Sequence, residues 1–350
     1  MSEKNYFNER NNINLEKIRE LRRELPKSVS EFVVGIETRT TPLTRLNYCY
    51  DLKVFFNYLI MENQYFANKT MQDIDFDDLE YIESTDVELF LEYLSHYTFE
   101  GKQYNNSLKT KARKLASIRS FFKYLYNKNE LTRDVASKVA TPKLHEKPII
   151  RLDRNEVSEI LDTADNGYSL TQRQFSFHNK TRKRDMAILT LFLGTGIRIS
   201  ELVGINVDDI FFEKNAFRIT RKGGNQSILY FSNEIKNPLL DYYNERIKDE
   251  TISKDEPAFF LSLQKKRISV RAVEVLVKKY AEIVSPLKPI TPHKLRSTYG
   301  TNLYECTKDI YVVAEVLGHK DVNTTKKHYA AISEDIKRDA STKVILRDKN

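Results

Sequence analysis

At 350 residues the chain exceeds the usual size of one domain, so two domains, each with its own core, are expected. Its 57 basic against 49 acidic residues leave a net charge of +8, which suits a polyanionic partner but does not require one. The 2 cysteines, Cys49 and Cys306, lie far apart and exclude a disulfide framework and a cysteine-based zinc site. No apolar run approaches the roughly 18 residues a membrane span needs, and the polar N-terminus lacks a signal-peptide core, so a cytoplasmic protein is expected.

Residues 1–40 are charged and helix-prone, with Leu15, Ile18, Leu21 and Leu25 near helical spacing until Pro26 interrupts, and they read as an N-terminal helical extension. From Pro42 a stronger pattern begins: Leu46, Tyr50 and Val54, with Leu52, Phe55, Phe56 and Leu59, form an apolar face at i, i+3, i+4 spacing. Thr85–Tyr97 and Ser107–Tyr126 form two further helical segments. Phe55-Phe56-Asn57-Tyr58-Leu59 is echoed by Phe121-Phe122-Lys123-Tyr124-Leu125, as expected of two helices packing aromatic faces in one small bundle. The bundle is assigned to 41–140. Residues 141–151, with Pro142 and Pro148, read as a linker.

A second domain, 152–350, opens on Asp153 with Glu156 three residues on, the spacing of a capping box. An apolar helix is expected over Asp185–Leu193, ending at Gly194. Short β-prone runs, Phe217–Thr220 and Ile228–Phe231, flank a glycine-rich turn and predict a hairpin. Helices follow at Pro238–Lys248, Ser269–Val284, Pro292–Glu305, Asp309–Leu317 and Thr324–Ala331, then a short amphipathic tail from about 333. The fold class is mainly α, with one small β-hairpin.

The second domain also carries a chemical series. Arg198 follows two glycines and opens a helical run; Lys222 stands in the hairpin turn; His293 and Arg296, three apart, share a helical face behind Pro292; His319 follows Gly318; Tyr329 stands ten residues later. Arginine holds a phosphate through two parallel hydrogen bonds. Histidine donates to phosphate oxygens or moves a proton near neutral pH. Tyrosine can attack phosphorus and store the bond energy as an ester. These are the parts for breaking a phosphodiester without metal or cofactor, and the sequence has neither a P-loop nor a carboxylate metal cluster. Each has a plainer reading: Arg198 as a surface charge paired with Glu201 at i+3, His293 and Arg296 as cap-region and surface groups, Lys222 as a solvated turn residue.

Taken in order, Gly194-Thr195-Gly196-Ile197-Arg198-Ile199-Ser200-Glu201-Leu202, Arg221-Lys222-Gly223-Gly224-Asn225, His293-Lys294-Leu295-Arg296, Leu317-Gly318-His319 and Tyr329 resemble the motif series of the tyrosine recombinases, the phage-integrase and Xer family, from about Asp153 to Ile332. Where the family often has a histidine after the second arginine, this chain has Ser297.

The resemblance implies a helical, SAM-like core-binding domain over 41–140, a mixed but mostly helical catalytic domain, and cleavage through a 3′-phosphotyrosyl intermediate. Tyr329 would be the nucleophile, with Arg198, Arg296, His293 and His319 on the phosphate and Glu201 supporting. Lys222 would protonate the departing 5′ oxygen, although Arg221 offers a second cation beside it. Tyr299, at i+3 from Arg296, is the rival nucleophile, but it is held too rigidly beside the phosphate clamp for in-line attack, and the family has a packing residue there.

Double-stranded DNA with a specific recombination site is the implied partner, bound by a homotetramer whose tails dock between protomers, with any accessory protein left open. Candidate DNA contacts are Lys109, Lys111, Arg113, Lys114 and Arg119 on one N-terminal-domain helix, set opposite Leu108, Ala112 and Leu115. Arg271, Lys278 and Lys279 on a helix resembling the family's major-groove helix are the others. Chromosome dimer resolution is the leading role, with integration of a phage or conjugative element next. A topoisomerase-like nicking enzyme and a non-catalytic DNA-binding regulator are the remaining alternatives; the intact set of six residues argues against the last.

Overall fold

The structure, a computed structural model, describes residues 6–144, 150–221, 224–318 and 322. It divides into two compact units, Met1–Lys147 and Pro148–Asn350.

In the first unit, α1 (Tyr6–Glu24) and α2 (Lys27–Gly35) meet at Pro26, whose extended backbone (ψ 148°) ends one helix and caps the next. α3 (Pro42–Glu62) starts behind Thr41, whose hydroxyl accepts the Thr44 N–H at 3.3 Å, with Pro42 in the first turn where no N–H is needed. α4 (Phe76–Leu79), α5 (Ser84–Tyr93) and α6 (Leu108–Asn127) complete the helices. The echoed phenylalanines do meet: Phe56 lies 6.0 Å from Phe121 and Phe55 6.3 Å from Phe122, both edge-on. Ile18, Leu21, Leu25, Val29 and Phe32 are buried in this same cluster, so the first two helices form part of the bundle's core.

One segment departs from expectation. The helix read as reaching Tyr97 stops at Tyr93, and Tyr97 instead begins β1 (Tyr97–Phe99), which pairs antiparallel with β2 (Lys102–Tyr104). Glu100 and Gly101 both take positive φ, 49° and 74°, as a two-residue hairpin turn requires. Tyr97 stacks on its cross-strand partner Tyr104 at 5.3 Å.

The second unit begins with the expected capping box: Asp153 accepts from the Glu156 N–H at 2.9 Å, and Glu156 from the Asp153 N–H at 2.8 Å, at the head of α7 (Arg154–Asn166). α8 (Gln172–Thr195) is much longer than Asp185–Leu193, because Thr171 and Gln174 form another capping box upstream. Ala187 through Phe192 are all buried, so this stretch has no solvent face and runs through the core, packed on α7 and on the later helices Asn233–Lys248 and Pro292–Thr307. Gly194 does not end the helix. It permits a close approach, since a Cβ there would lie 2.2 Å from Ile235.

After α9 (Ile199–Gly204) come β3 (Ile210–Phe211), β4 (Ala216–Thr220) and β5 (Gln226–Tyr230), an antiparallel sheet in that order. The expected hairpin is β4–β5, with Thr220 opposite Gln226, and β3 adds a third strand. α10 (Asn233–Lys248) starts before Pro238 and carries it in its interior. α11 (Val270–Val284), α12 (Pro292–Thr307) and α13 (Ile310–Leu317) follow as expected. The helix expected over Thr324–Ala331 and the tail from 333 lie outside the described residues.

Candidate active site

The site is assembled around the end of α13. α8 terminates at Gly196, which takes φ 61° and donates its N–H to Phe192 O. The chain then turns out through buried Ile197, so that Arg198 becomes the residue capping α9. Glu201, 2% exposed, accepts the Arg198 N–H at 3.0 Å and its guanidinium Nη1 at 2.8 Å. The paired-charge reading of Arg198 is therefore correct as geometry. It does not use up the side chain, because Nη2 reaches across to Gly318 O at 2.9 Å and a third of the side chain is exposed.

α12 begins with Pro292 and places exposed His293 in its first turn, with Arg296 one turn later. Arg296 is buried, and its guanidinium donates to Gly196 O and Leu317 O. Tyr299 packs with Leu303, Tyr304 and Ile310 against Val313 and Leu317, and burial pushes its phenol pKa up. Packing is the role the family resemblance gave this position.

Arg221 is the functional-site candidate that sequence reasoning passed over, having considered it only as an alternative to Lys222. Its Nε donates to Ser227 Oγ at 3.0 Å, Nη1 to Leu317 O at 3.1 Å and Nη2 to Val316 O at 3.3 Å. Burial draws its pKa below the ordinary arginine value; the Glu201 charge opposes that fall and Arg198 adds to it. Three guanidiniums thus donate to the carbonyls of Val316, Leu317 and Gly318, where the helix dipole favours positive charge. Gly318, at φ 60°, closes α13 immediately before His319. Lys222, His319 and Tyr329 lie outside the described residues. The described part thus brings Arg198, Glu201 and Arg296 to one place, a cationic cluster with a single carboxylate, fitted to hold an anion.

The DNA-contact candidates do not all lie on solvent faces. On α6 the expected single stripe is corrected. Lys114 is buried and its Nζ donates to buried Asp51 at 3.1 Å; Arg113 pairs with the same carboxylate. Burial pulls the Lys114 pKa down, with Asp51 opposing. At helical spacing Lys114 sits a turn before Ile118 on the inward arc, which explains the error. Arg119 donates to Ala136 O, Val139 O and Thr141, and Lys111 to Ser95 Oγ, so both anchor neighbouring chain. Lys109 is exposed, as is Leu108, which was expected on the apolar face. On α11, Arg271 and Lys278 are exposed, each paired with a glutamate of its own helix. Lys279 is instead turned onto buried Asp185 at 3.1 Å, beside the Tyr280 hydroxyl, and links α11 to α8 through that carboxylate.

Residues 150–335 match the phage integrase family, and residues 31–129 match the phage integrase N-terminal SAM-like domain. The chain is 34% identical over 313 residues to tyrosine recombinase XerC of Caldanaerobacter subterraneus subsp. tengcongensis, covering 86% of this chain and 82% of that one. It is 32% identical over 347 residues to tyrosine recombinase XerS of Streptococcus mutans serotype c, covering 92% and 97%. Among solved structures, XerH site-specific recombinase bound to palindromic difH substrate shares the fold at TM-score 0.64 and 18% identity, over 86% of this chain and 80% of that one. A lambda integrase dimer bound to a COC′ core site does so at TM-score 0.58 and 16% identity, over 85% and 92%.

Proposed function

The chain belongs to the phage integrase family and is a tyrosine-type site-specific recombinase; on that premise we propose that Tyr329 is its nucleophile and that Arg198, Lys222, His293, Arg296 and His319 act on the scissile phosphate. The Tyr329 hydroxyl releases its proton to water as its oxygen bonds to phosphorus, the bond from phosphorus to the 5′ oxygen breaks, and Lys222 gives that oxygen its proton. The arginines and histidines stabilise the charge gathering on the non-bridging oxygens. The products are a 3′-phosphotyrosyl enzyme and a free 5′ hydroxyl, which attacks a partner strand's phosphotyrosine in the reverse sense. Bond energy is conserved, so neither nucleotide nor metal is consumed.

The observation that carries this reading is the meeting of Arg198 and Arg296, from opposite sides of the β-sheet segment in the sequence, on the Leu317–Gly318 peptides that lead directly into His319. The substrate is double-stranded DNA with a specific site, by analogy with the DNA-bound XerH and lambda integrase. The working form is a homotetramer in the cytoplasm, with residues 41–140 serving as core-binding domain and 152–350 as catalytic domain. Chromosome dimer resolution is the role we put first, ahead of element integration, on the resemblance to the Xer family. DNA recovered with the protein decides between them: a site near the replication terminus supports the first, an element end the second.

The test of the nucleophile is Tyr329→Phe on a nicked suicide substrate. Covalent attachment should vanish while DNA binding stays nearly intact; trapping through Tyr299, or by the Tyr329→Phe protein, refutes the assignment. Cleavage by the wild type should persist in chelator without nucleotide.

A further inference from the structure

Arg221 sits at the junction between β4 and the turn that precedes β5. Its backbone closes that turn, donating to Asn225 O at 2.8 Å and accepting the Gly224 N–H at 3.0 Å. Its side chain bridges to two other places, Ser227 on β5 and the carbonyls of Val316 and Leu317 at the end of α13. The contact with α13 is so close that a Cβ on Gly318 would fall 1.6 Å from Arg221 Nη1, so only glycine leaves room for it. Each of the three guanidinium nitrogens already donates to a protein acceptor, and this half-buried side chain is turned inward rather than toward a ligand.

We propose that Arg221 is a positioning residue that ties the β4–β5 hairpin to the last turn of α13. The end of α13 thus serves as the anchor that fixes the point from which the hairpin departs toward Lys222. The inference rests on the reading of Lys222 as proton donor to the 5′ oxygen. A planar fork suits the tie, because one rigid group spans three acceptors; a lysine supplies the charge but not the span.

The experiment compares the full-length wild type with Arg221→Ala, Arg221→Lys, Lys222→Ala and Arg198→Ala on two suicide substrates, one normal and one with sulfur at the 5′-bridging position. A thiolate leaves without a proton. Arg221→Ala should bind DNA like the wild type but cleave the normal substrate about a hundredfold more slowly, the scale of a small displacement of a catalytic group. Arg221→Lys should be nearly as slow. The sulfur substrate should restore Arg221→Ala and Lys222→Ala alike and leave Arg198→Ala slow.

Rescue of Lys222→Ala without rescue of Arg221→Ala overturns the proposal, as does a loss of DNA affinity in Arg221→Ala that matches its loss of rate. If Lys222→Ala is itself not rescued, the proton-donor reading falls, and hydrogen exchange judges the tie separately. Faster exchange in both Gln226–Tyr230 and Ile310–Leu317 of Arg221→Ala, with α11 unchanged, supports it. Unchanged exchange in Ile310–Leu317 rejects it.

Discussion

Each unit gathers cations around acceptors supplied by its packed helices, and the two clusters are built on opposite terms. In the first unit Arg113 and Lys114 converge on one carboxylate, Asp51, which is 1% exposed and also accepts the Ser117 hydroxyl at 2.7 Å. In the second, Arg198, Arg221 and Arg296 converge on the neutral carbonyls ending α13, with the Glu201 carboxylate bonded to Arg198. A carboxylate-centred cluster holds two helices together and cancels much of its own field. A carbonyl-centred one holds its guanidiniums through the helix dipole and cancels less of their charge, so the local field still favours an anion. The lysines and arginines of the two units thus look alike in composition but serve different purposes, and the identity of the acceptor separates them.

The sharpest way to break this contrast is Asp51→Ala. It strands Lys114 in the core and should cost about 3–5 kcal/mol in a denaturant melt, the scale for unpairing a buried charge. Cleavage per folded molecule should be unchanged. An unfolding midpoint equal to the wild type would show that the first cluster is not structural.

Next comes Arg198→Ala, with the effects reversed. Its loss leaves buried Glu201 without a guanidinium partner, so some stability should be lost, but the larger effect should be on phosphotyrosyl formation, slowed by about 10²–10³-fold per folded molecule, the cost of removing a preorganised donor. A large fall in melting temperature with a preserved rate constant would move Arg198 into the structural class.

Gly318→Ala probes the geometry of the second cluster. A φ of 60° costs an alanine about 1–2 kcal/mol, and the collision with Arg221 adds to it, so both stability and cleavage rate should fall. Gly101→Ala is the milder companion. Its φ of 74° imposes the same backbone strain, but no atom lies within 4 Å of the added Cβ, so only about 1–2 kcal/mol of stability is lost and no activity per folded molecule. Equal effects at the two glycines would remove the special role given to the Arg221 contact.

Short-range patterns in the sequence determined a good deal. The break at Pro26, the capping box at Asp153, the hairpin around Arg221–Asn225, the stop at Gly318 and the three-residue interval between His293 and Arg296 are each set by backbone geometry within a turn or two. The meeting of the two double-phenylalanine segments was legible because large apolar groups at helical spacing must find one another to leave water.

Missed features divide into two kinds. The β1–β2 hairpin and the early start of α8 had local signals, Glu100-Gly101 and Thr171 with Gln174, that were overlooked. The rest had none. Whether Lys114 and Lys279 face a groove or a buried aspartate, and whether Arg221 meets a phosphate or a helix end, depends on which acceptor a long flexible side chain can reach. Those acceptors, Asp51, Asp185 and Leu317, are remote in the chain and are brought near only when helices pack. Periodicity reports which face of an element is apolar, but only the packed fold decides which carbonyl or carboxylate waits at the end of a lysine or an arginine.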